Sequence, residues 1–443
     1  MKNQLVFICS QIFFLVSGYP KIFSQEFLPM VQIAWENNHL LKAKHFQLNS
    51  ASFALQEAKA LYGPSVMFAT QYTLAEGGRS IDFPVGDLLN PVYGTLNQLT
   101  NSTVFPQINN VNTQLLPNNF YDARFRISQP IYYPDLVINK KLKTESLYLK
   151  ELEIKAFKRQ ISKDVMLAYF QSITSKNVID IYLATDTLLS EAKRTTQSMI
   201  RNGTSLPSSL SRIETQIAAI EAQKIEASSN HRNALRYLQF TLGVKDSSVW
   251  HIELPEVPDI SNSNILQREE VAQINQGIKM LHLANEKEDQ FYLPKIGAQL
   301  DFGSQAFDFG FDPYILVGLN LEINIYDNKK HKYRKEAIKS DIQASEAQKN
   351  EIEEQMNLMI SVAAENLRSA IAQAKTYRTR INAVSKIYNE VFRKYKEGSA
   401  NYLELMDAQS QVTQVNLQFV IAQNNAWVKW AEYVYVTAAF PIN

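Results

Sequence analysis

The stretch KYKEGSANYLELMDAQSQ, Lys394 to Gln411, decides how this chain folds. A long helical pattern runs into it, stops at Gly398, and a second helical pattern leaves it, which is the grammar of a helical hairpin. The same grammar stands earlier in IRNGTSLPSSLSRIETQ, Ile200 to Gln216, where Gly203 matches Gly398, Leu210 matches Leu405 and Gln216 matches Gln411 at a constant offset of 195. The chain is therefore an internal duplication, and one elongated body of two copies fits its 443 residues better than two or three ordinary domains. The two turns are its expected working end.

Upstream, Leu5 to Val16 form a short apolar run behind Lys2, and Ser17 to Ser24 is a small and polar exit. Residues 1–24 read as a signal peptide cleaved near Ser24–Gln25, so the mature protein leaves the cytoplasm. The only cysteine, Cys9, lies inside the apolar run behind Ile8, which argues against a lipoprotein cleavage site and leaves the mature chain without thiol, disulfide or lipid anchor. Removing Lys2 and Lys21 turns 45 bases against 44 acids into a net charge near −1, which gives no reason to expect nucleic acid. No other stretch approaches the ~20 apolar residues of a membrane-spanning helix. A membrane reading must rest on strands.

The period of the apolar residues changes in a fixed order. Leu28 to Tyr62 reads as helix and Gly63-Pro64 stops it. Val66, Phe68, Thr70, Tyr72 and Leu74 then alternate with Ser65, Met67, Ala69, Gln71 and Thr73, a strand over about 64–74; Tyr121, Ala123, Phe125 and Ile127 alternate with Asp122, Arg124, Arg126 and Ser128 over about 120–129, which puts Arg124 and Arg126 on the opposite face. Between them Arg79 to Asn118, rich in Asn, Pro and Gly, is far longer than a hairpin turn and reads as a surface loop or a lid. A helical hairpin spans 134–242, its first arm carrying Ile154, Phe157, Ile161, Val165 and Ala168 on one stripe over roughly 65 residues, on the order of 100 Å. That completes a first repeat, 25–242; a connector at 243–264 holds Pro255 and Pro258. The second repeat, 265–443, gives a helix to Tyr292, strands over about 294–303 and 313–326, and a hairpin over 329–437. Its seam residues, among them Ala363, Leu367, Ile371, Tyr388 and Tyr395, recur every three or four positions, so the helices pack side by side as coiled coils do.

Strands of about ten residues match the apolar band of an outer-membrane barrel, but four of them cannot close one, and an open edge in lipid leaves backbone groups unpaired. The expected fold class is an α+β membrane protein: coiled-coil-like hairpins, with four β-strands per chain contributing to a barrel shared among copies. The competing architecture is a soluble mixed domain whose strands pack on its own helices.

In KYKEGSANYLELMDAQSQ, in its partner RNGTSLPSSLSRIETQ, in the LYGP at 61–64 and FYLP at 291–294 that open each copy's first strand, and in LNLEINIYDNKKHK, the chain resembles the TolC-type outer-membrane efflux family over essentially all of the mature sequence. The resemblance implies a homotrimer, a twelve-stranded barrel in the outer membrane and a helical tunnel through the periplasm. It implies a periplasmic adaptor (membrane fusion protein) and an inner-membrane transporter as partners, outer-membrane lipid around the barrel, and passive efflux or type I secretion with no chemistry. A soluble periplasmic scaffold or adaptor is the alternative.

No catalytic constellation emerges, and no cofactor is expected. His39, His45, His231, His251, His282 and His331 make neither HExxH nor paired metal spacing, and no phosphate-binding glycine loop is present. Glu404 and Asp407 lie three apart on one helix face just after the turn. Alone they read as acids favoured by the dipole at a helix start, or, repeated around a trimer axis, as a cation-selecting ring. The resemblance matches them to carboxylates lining a closed periplasmic aperture and Tyr395 to a tyrosine that helps hold it shut. Ala400 stands where a basic partner is expected, leaving Arg393, Lys394 or Lys396 as substitutes. In the first repeat Ser209 and Arg212 occupy the places of Glu404 and Asp407, so the second hairpin is expected to line the constriction. Gly203 and Gly398 are expected at hairpin tips that meet the adaptor, as helix C-caps. Arg124 and Arg126 are expected to face the pore, opposite the lipid-facing residues.

Overall fold

The computed structural model of the chain describes residues 20–245, 257 and 268–442. Most of the expected signal peptide and connector lie outside them. The elements in order are α1 (Pro20–Asn37), α2 (His39–Ala60), β1 (Ser65–Thr73), β2 (Ser80–Phe83), α3 (Val85–Thr100), β3 (Val111–Gln114), β4 (Phe120–Tyr132), α4 (Pro134–Arg201), α5 (Pro207–Leu242), α6 (Glu269–Asp289), β5 (Lys295–Phe307), β6 (Pro313–Glu322), α7 (Lys330–Lys396) and α8 (Tyr402–Val436). The two long arms, α4 of 68 residues and α7 of 67, stand in corresponding places of the two repeats.

Four expectations are corrected. The helix over 28–62 is two helices, because the Asn38 side chain accepts from the Leu41 backbone N–H at 2.8 Å and starts α2 as an N-cap. The 79–118 loop is structured, with β2 and β3 pairing and α3 between them. The strand over 120–129 extends through a bulge at Pro130 to Tyr132, as the β4–β5 register shift shows. The strand expected over about 313–326 outruns β6, whose ladder ends at Glu322 opposite Lys295, where β5 begins.

The chain divides into two compact units, each drawing on both repeats. One, of residues 1–52, 145–281 and 340–443, is helical over its described residues. Its main core joins Phe27, Met30 and Val31 of α1 to Ile161, Val165, Tyr169 and Phe170 of α4, Leu238 of α5, Leu367 and Ile371 of α7 and Trp427 and Trp430 of α8. The stripe read from the sequence is this core's α4 surface: Ile154, Ile161, Val165 and Ala168 are buried, with Phe157 packed against them. The buried guanidinium of Arg159 in α4 is bidentate to Glu269 of α6, at 2.9 and 2.6 Å, and donates to the Phe440 carbonyl at 3.1 Å. It thereby ties the start of α6 and the end of the chain to α4.

The other unit, residues 53–144 and 282–339, holds an antiparallel sheet in the order β1-β4-β5-β6. Antiparallel neighbours place Phe68, Phe125, Phe302 and Ile315 side by side across all four strands, with Val66, Ile127, Leu300 and Val317 as the next row. Two-residue periodicity puts both rows on one face.

Candidate functional site

Two hairpin tips and the two faces of the sheet are the surfaces on which function can rest. At both tips the helix ends in the same way. Gly203 has φ 74° and Gly398 φ 76°, a left-handed conformation that glycine adopts without the Cβ clash other residues meet. The Gly203 N–H bonds the Ile200 carbonyl at 3.0 Å and the Thr204 N–H that of Met199 at 2.9 Å; 195 residues on, Gly398 bonds Tyr395 at 3.0 Å and Ser399 bonds Lys394 at 2.9 Å. This paired pattern is the Schellman C-cap, so the duplication extends to single hydrogen bonds. A Cβ at either glycine would meet open space.

The helices leaving the tips start differently. Leu206 precedes Pro207 of α5 without a side-chain cap, whereas Asn401 opens α8 with a capping box. Its side chain accepts from the Glu404 N–H at 3.0 Å, and the Glu404 carboxylate accepts from the Asn401 N–H at 3.4 Å. The Asn-x-x-Glu spacing signals this box in the sequence. Glu404 thus spends one oxygen on the helix start while remaining exposed; Asp407, also exposed, accepts from the Gln411 amide at 2.8 Å.

Tyr395 does not join them on that face. It is buried in a second core with Ala192, Ile213, Tyr388, Phe392, Ala400, Leu405 and Ala408, its hydroxyl 2.7 Å from that of Thr196 in α4. Ala400 serves as a small packing residue there. The bases near the tip have acids of their own: Arg393 approaches Glu397 at 4.0 Å, Lys394 pairs with Glu390 at 2.8 Å and Lys396 with Glu191 at 3.2 Å. Burial, aided by the charge of Glu191, pushes the Tyr388 hydroxyl up to about 12.

On the sheet, Arg124 and Arg126 share the face opposite the Phe68 row, and each meets a carboxylate. Arg126 is bidentate to Asp301, at 2.8 and 2.7 Å, and Gln299 adds a bond to the same carboxylate at 2.8 Å. Arg124 pairs with Asp122, which also accepts from the Tyr314 hydroxyl at 3.0 Å. Asp122 and Asp301 were absent from the candidates, although both alternate onto the polar face in the sequence. The opposite face is bare: Phe68 is 57% exposed, Ile315 77% and Val317 76%. Among the described residues no helix is long and apolar enough to cross a membrane.

Residues 286–432 match the outer membrane efflux protein family. No curated protein matches the chain. Among solved structures, the CmeC outer membrane channel of Campylobacter jejuni superposes with a TM-score of 0.72 at 13% identity, over 96% of this chain and 88% of that one. The outer membrane protein VceC of Vibrio cholerae gives 0.71 at 14% identity, over 93% and 96%. The open state of the MtrE outer membrane channel of Neisseria gonorrhoeae gives 0.70 at 12% identity, over 93% and 88%. At such identities the likeness is one of fold, and it spans both repeats. Residues 286–432 thus carry the match to the outer membrane efflux protein family, within a chain whose fold over 93–96% of its length is similar to that of solved outer-membrane channels.

Proposed function

We propose that the protein is a passive exit duct of the outer membrane, in which three copies pool their four-stranded sheets into one twelve-stranded barrel. The observation that carries this reading is the sheet itself. Its apolar rows are exposed, and its outer strands β1 and β6 each have one neighbour instead of two. An apolar face without cover suits lipid, and unpaired edges in lipid must find partner strands. The strands run 9, 13, 13 and 10 residues, enough to cross the hydrocarbon when tilted.

Aromatic residues gather at both ends of the sheet, as interfacial girdles do. At one end Tyr72 and Tyr121 flank Phe309, with centroids at 5.2 and 6.3 Å; at the other stand the exposed Tyr132, Tyr292 and Tyr326. The polar face with its Arg126–Asp301 and Arg124–Asp122 pairs then lines the lumen. Gly203 and Gly398 shape the tips offered to a periplasmic adaptor, and Glu404 and Asp407 stand at the aperture, with Tyr395 holding α7 to α4 beside it. An inner-membrane transporter supplies the energy for efflux or type I secretion. The duct itself performs no reaction.

Native mass spectrometry of protein extracted from outer membranes in detergent tests this reading. A trimer is the expected species. A monomer that stays in solution without detergent sinks the reading and favours the soluble scaffold.

A further inference from the structure

The insertion between β1 and β4 is a built module, and its outward surface is unlike that of an ordinary loop. Helix α3 carries Pro91 and contains Gly86 and Gly94, all poor helix formers, yet it is held by side-chain amides that imitate a strand ladder. Asn90 donates to the Ile108 carbonyl and accepts from the Ile108 N–H, both at 2.9 Å. Two turns on, Asn97 does the same for Phe105, at 2.7 and 3.0 Å. Asn110 closes the set, accepting from the Asp87 N–H at 3.1 Å and donating to its carboxylate at 3.0 Å. The return segment 105–110 is thus pinned along α3 at three points.

What this rigid helix presents outward is a seam. Leu88, Val92, Thr95 and Leu99 are spaced four, three and four, the spacing at which one helix meets another in a coiled coil. Leu88 is 69% exposed, Val92 52% and Leu99 78%, so none of the described residues covers the seam. From Phe83 to Asn119 the only charged residue is Asp87, so the surface offers a charged partner one carboxylate and no base.

Two further observations choose the occupant. The module grows directly from the end of β1, the edge strand that a neighbouring copy must pair with in the proposed duct. It is separated from β1 and β4 by the four residue pairs of the β2–β3 ladder, roughly 13 Å of strand beyond the Tyr72–Phe309 aromatic contact. That interval argues against lipid tails as the cover.

We propose that the 74–119 module is a self-association device: the Leu88–Val92–Leu99 seam packs against the same seam of neighbouring copies and narrows the outer mouth of the barrel. The inference rests on the duct reading and adds an outer gate to it. A rotation axis that brings three β1 edges to three β6 edges also sets three identical α3 helices around it, each with a seam of apolar residues and one threonine.

Single-cysteine crosslinking is clean here because Cys9 is the chain's only cysteine and falls in the expected signal peptide. Val92→Cys and Leu99→Cys are compared with Gln107→Cys, which is exposed on the return segment. The full chain is oxidised in lipid bilayers after its oligomeric state has been measured. Trimers in which the two seam cysteines give covalent dimers while Gln107→Cys does not support the proposal, as does a rise in single-channel conductance in Leu88→Asn/Val92→Asn/Leu99→Asn. Trimers whose seam cysteines crosslink no better than Gln107→Cys overturn the proposal and leave the duct intact. Absence of the trimer overturns both.

Discussion

The Tyr395 hydroxyl lies 2.7 Å from the Thr196 hydroxyl, inside the core that joins the last turn of α7 to α4. Thr196 donates its own proton to the Ala192 carbonyl at 2.9 Å, so it accepts from Tyr395. Losing the tyrosine hydroxyl therefore orphans no donor. Tyr395→Phe is expected to cost about 1 kcal/mol, and Thr196→Val, which leaves a buried phenol unpaired, about 1–3 kcal/mol. Urea unfolding followed by helical circular dichroism checks the order.

Glu404 serves the capping box through an oxygen that glutamine retains. Glu404→Gln is expected to leave stability unchanged within about 0.5 kcal/mol, whereas Asn401→Ala costs about 1 kcal/mol. Any change of ion selectivity in Glu404→Gln then reports its charge alone, measured as a reversal potential under a salt gradient.

Each sheet arginine is neutralised by its carboxylate, so the polar face of the sheet carries no net positive belt at that level. Asp301→Asn frees the Arg126 charge and is expected to shift selectivity towards anions, and Arg126→Gln towards cations. Equal reversal potentials in the two variants would contradict the placement of this pair in the lumen.

Tyr388 ties stability to alkaline pH. Its hydroxyl is pushed up to about 12 by burial and by Glu191, from 10. Between those values the unfolded chain releases a proton that the folded chain keeps, so stability falls by up to about 1.4 kcal/mol per pH unit. Tyr388→Phe removes both this slope and a buried hydroxyl without a partner. Melting temperatures across that range test it.

On the acid side, burial opposes ionisation of Glu269, but the bonds and charge of Arg159 prevail and hold the carboxyl below its ordinary value. A depressed carboxyl contributes stability above its unfolded pKa, near 4.5, which is lost as pH falls through the lower folded value. Glu269→Gln leaves a buried guanidinium with one charge too many and is expected to cost about 3–5 kcal/mol at neutral pH. The acid slope should vanish with it.

The long arms, the strands and the two glycine tips were legible because each rests on a period or on one residue type. Ile161, Val165 and Leu367 recur at helical spacing and are buried as that spacing requires. What stayed hidden depends on contacts between distant positions. Nothing near Tyr395 points to Thr196, which is 199 residues away, and Arg126 finds Asp301 only once β4 and β5 pair. The module at 79–118 was hidden for a further reason: its prolines and glycines argue against a helix, and the amide bonds that overrule them join Asn90 and Asn97 to residues eight to eighteen positions on. Asn38 and Asn401 were legible in principle, since an Asn before a helical run is itself a start signal.

The most direct measurement is single-channel conductance of the purified full chain in a planar lipid bilayer, wild type beside Glu404→Gln/Asp407→Asn. Discrete openings that favour cations in the wild type, and lose that preference in the variant, are the expected result. A trimeric preparation that inserts into the bilayer yet conducts nothing in either form would contradict the duct.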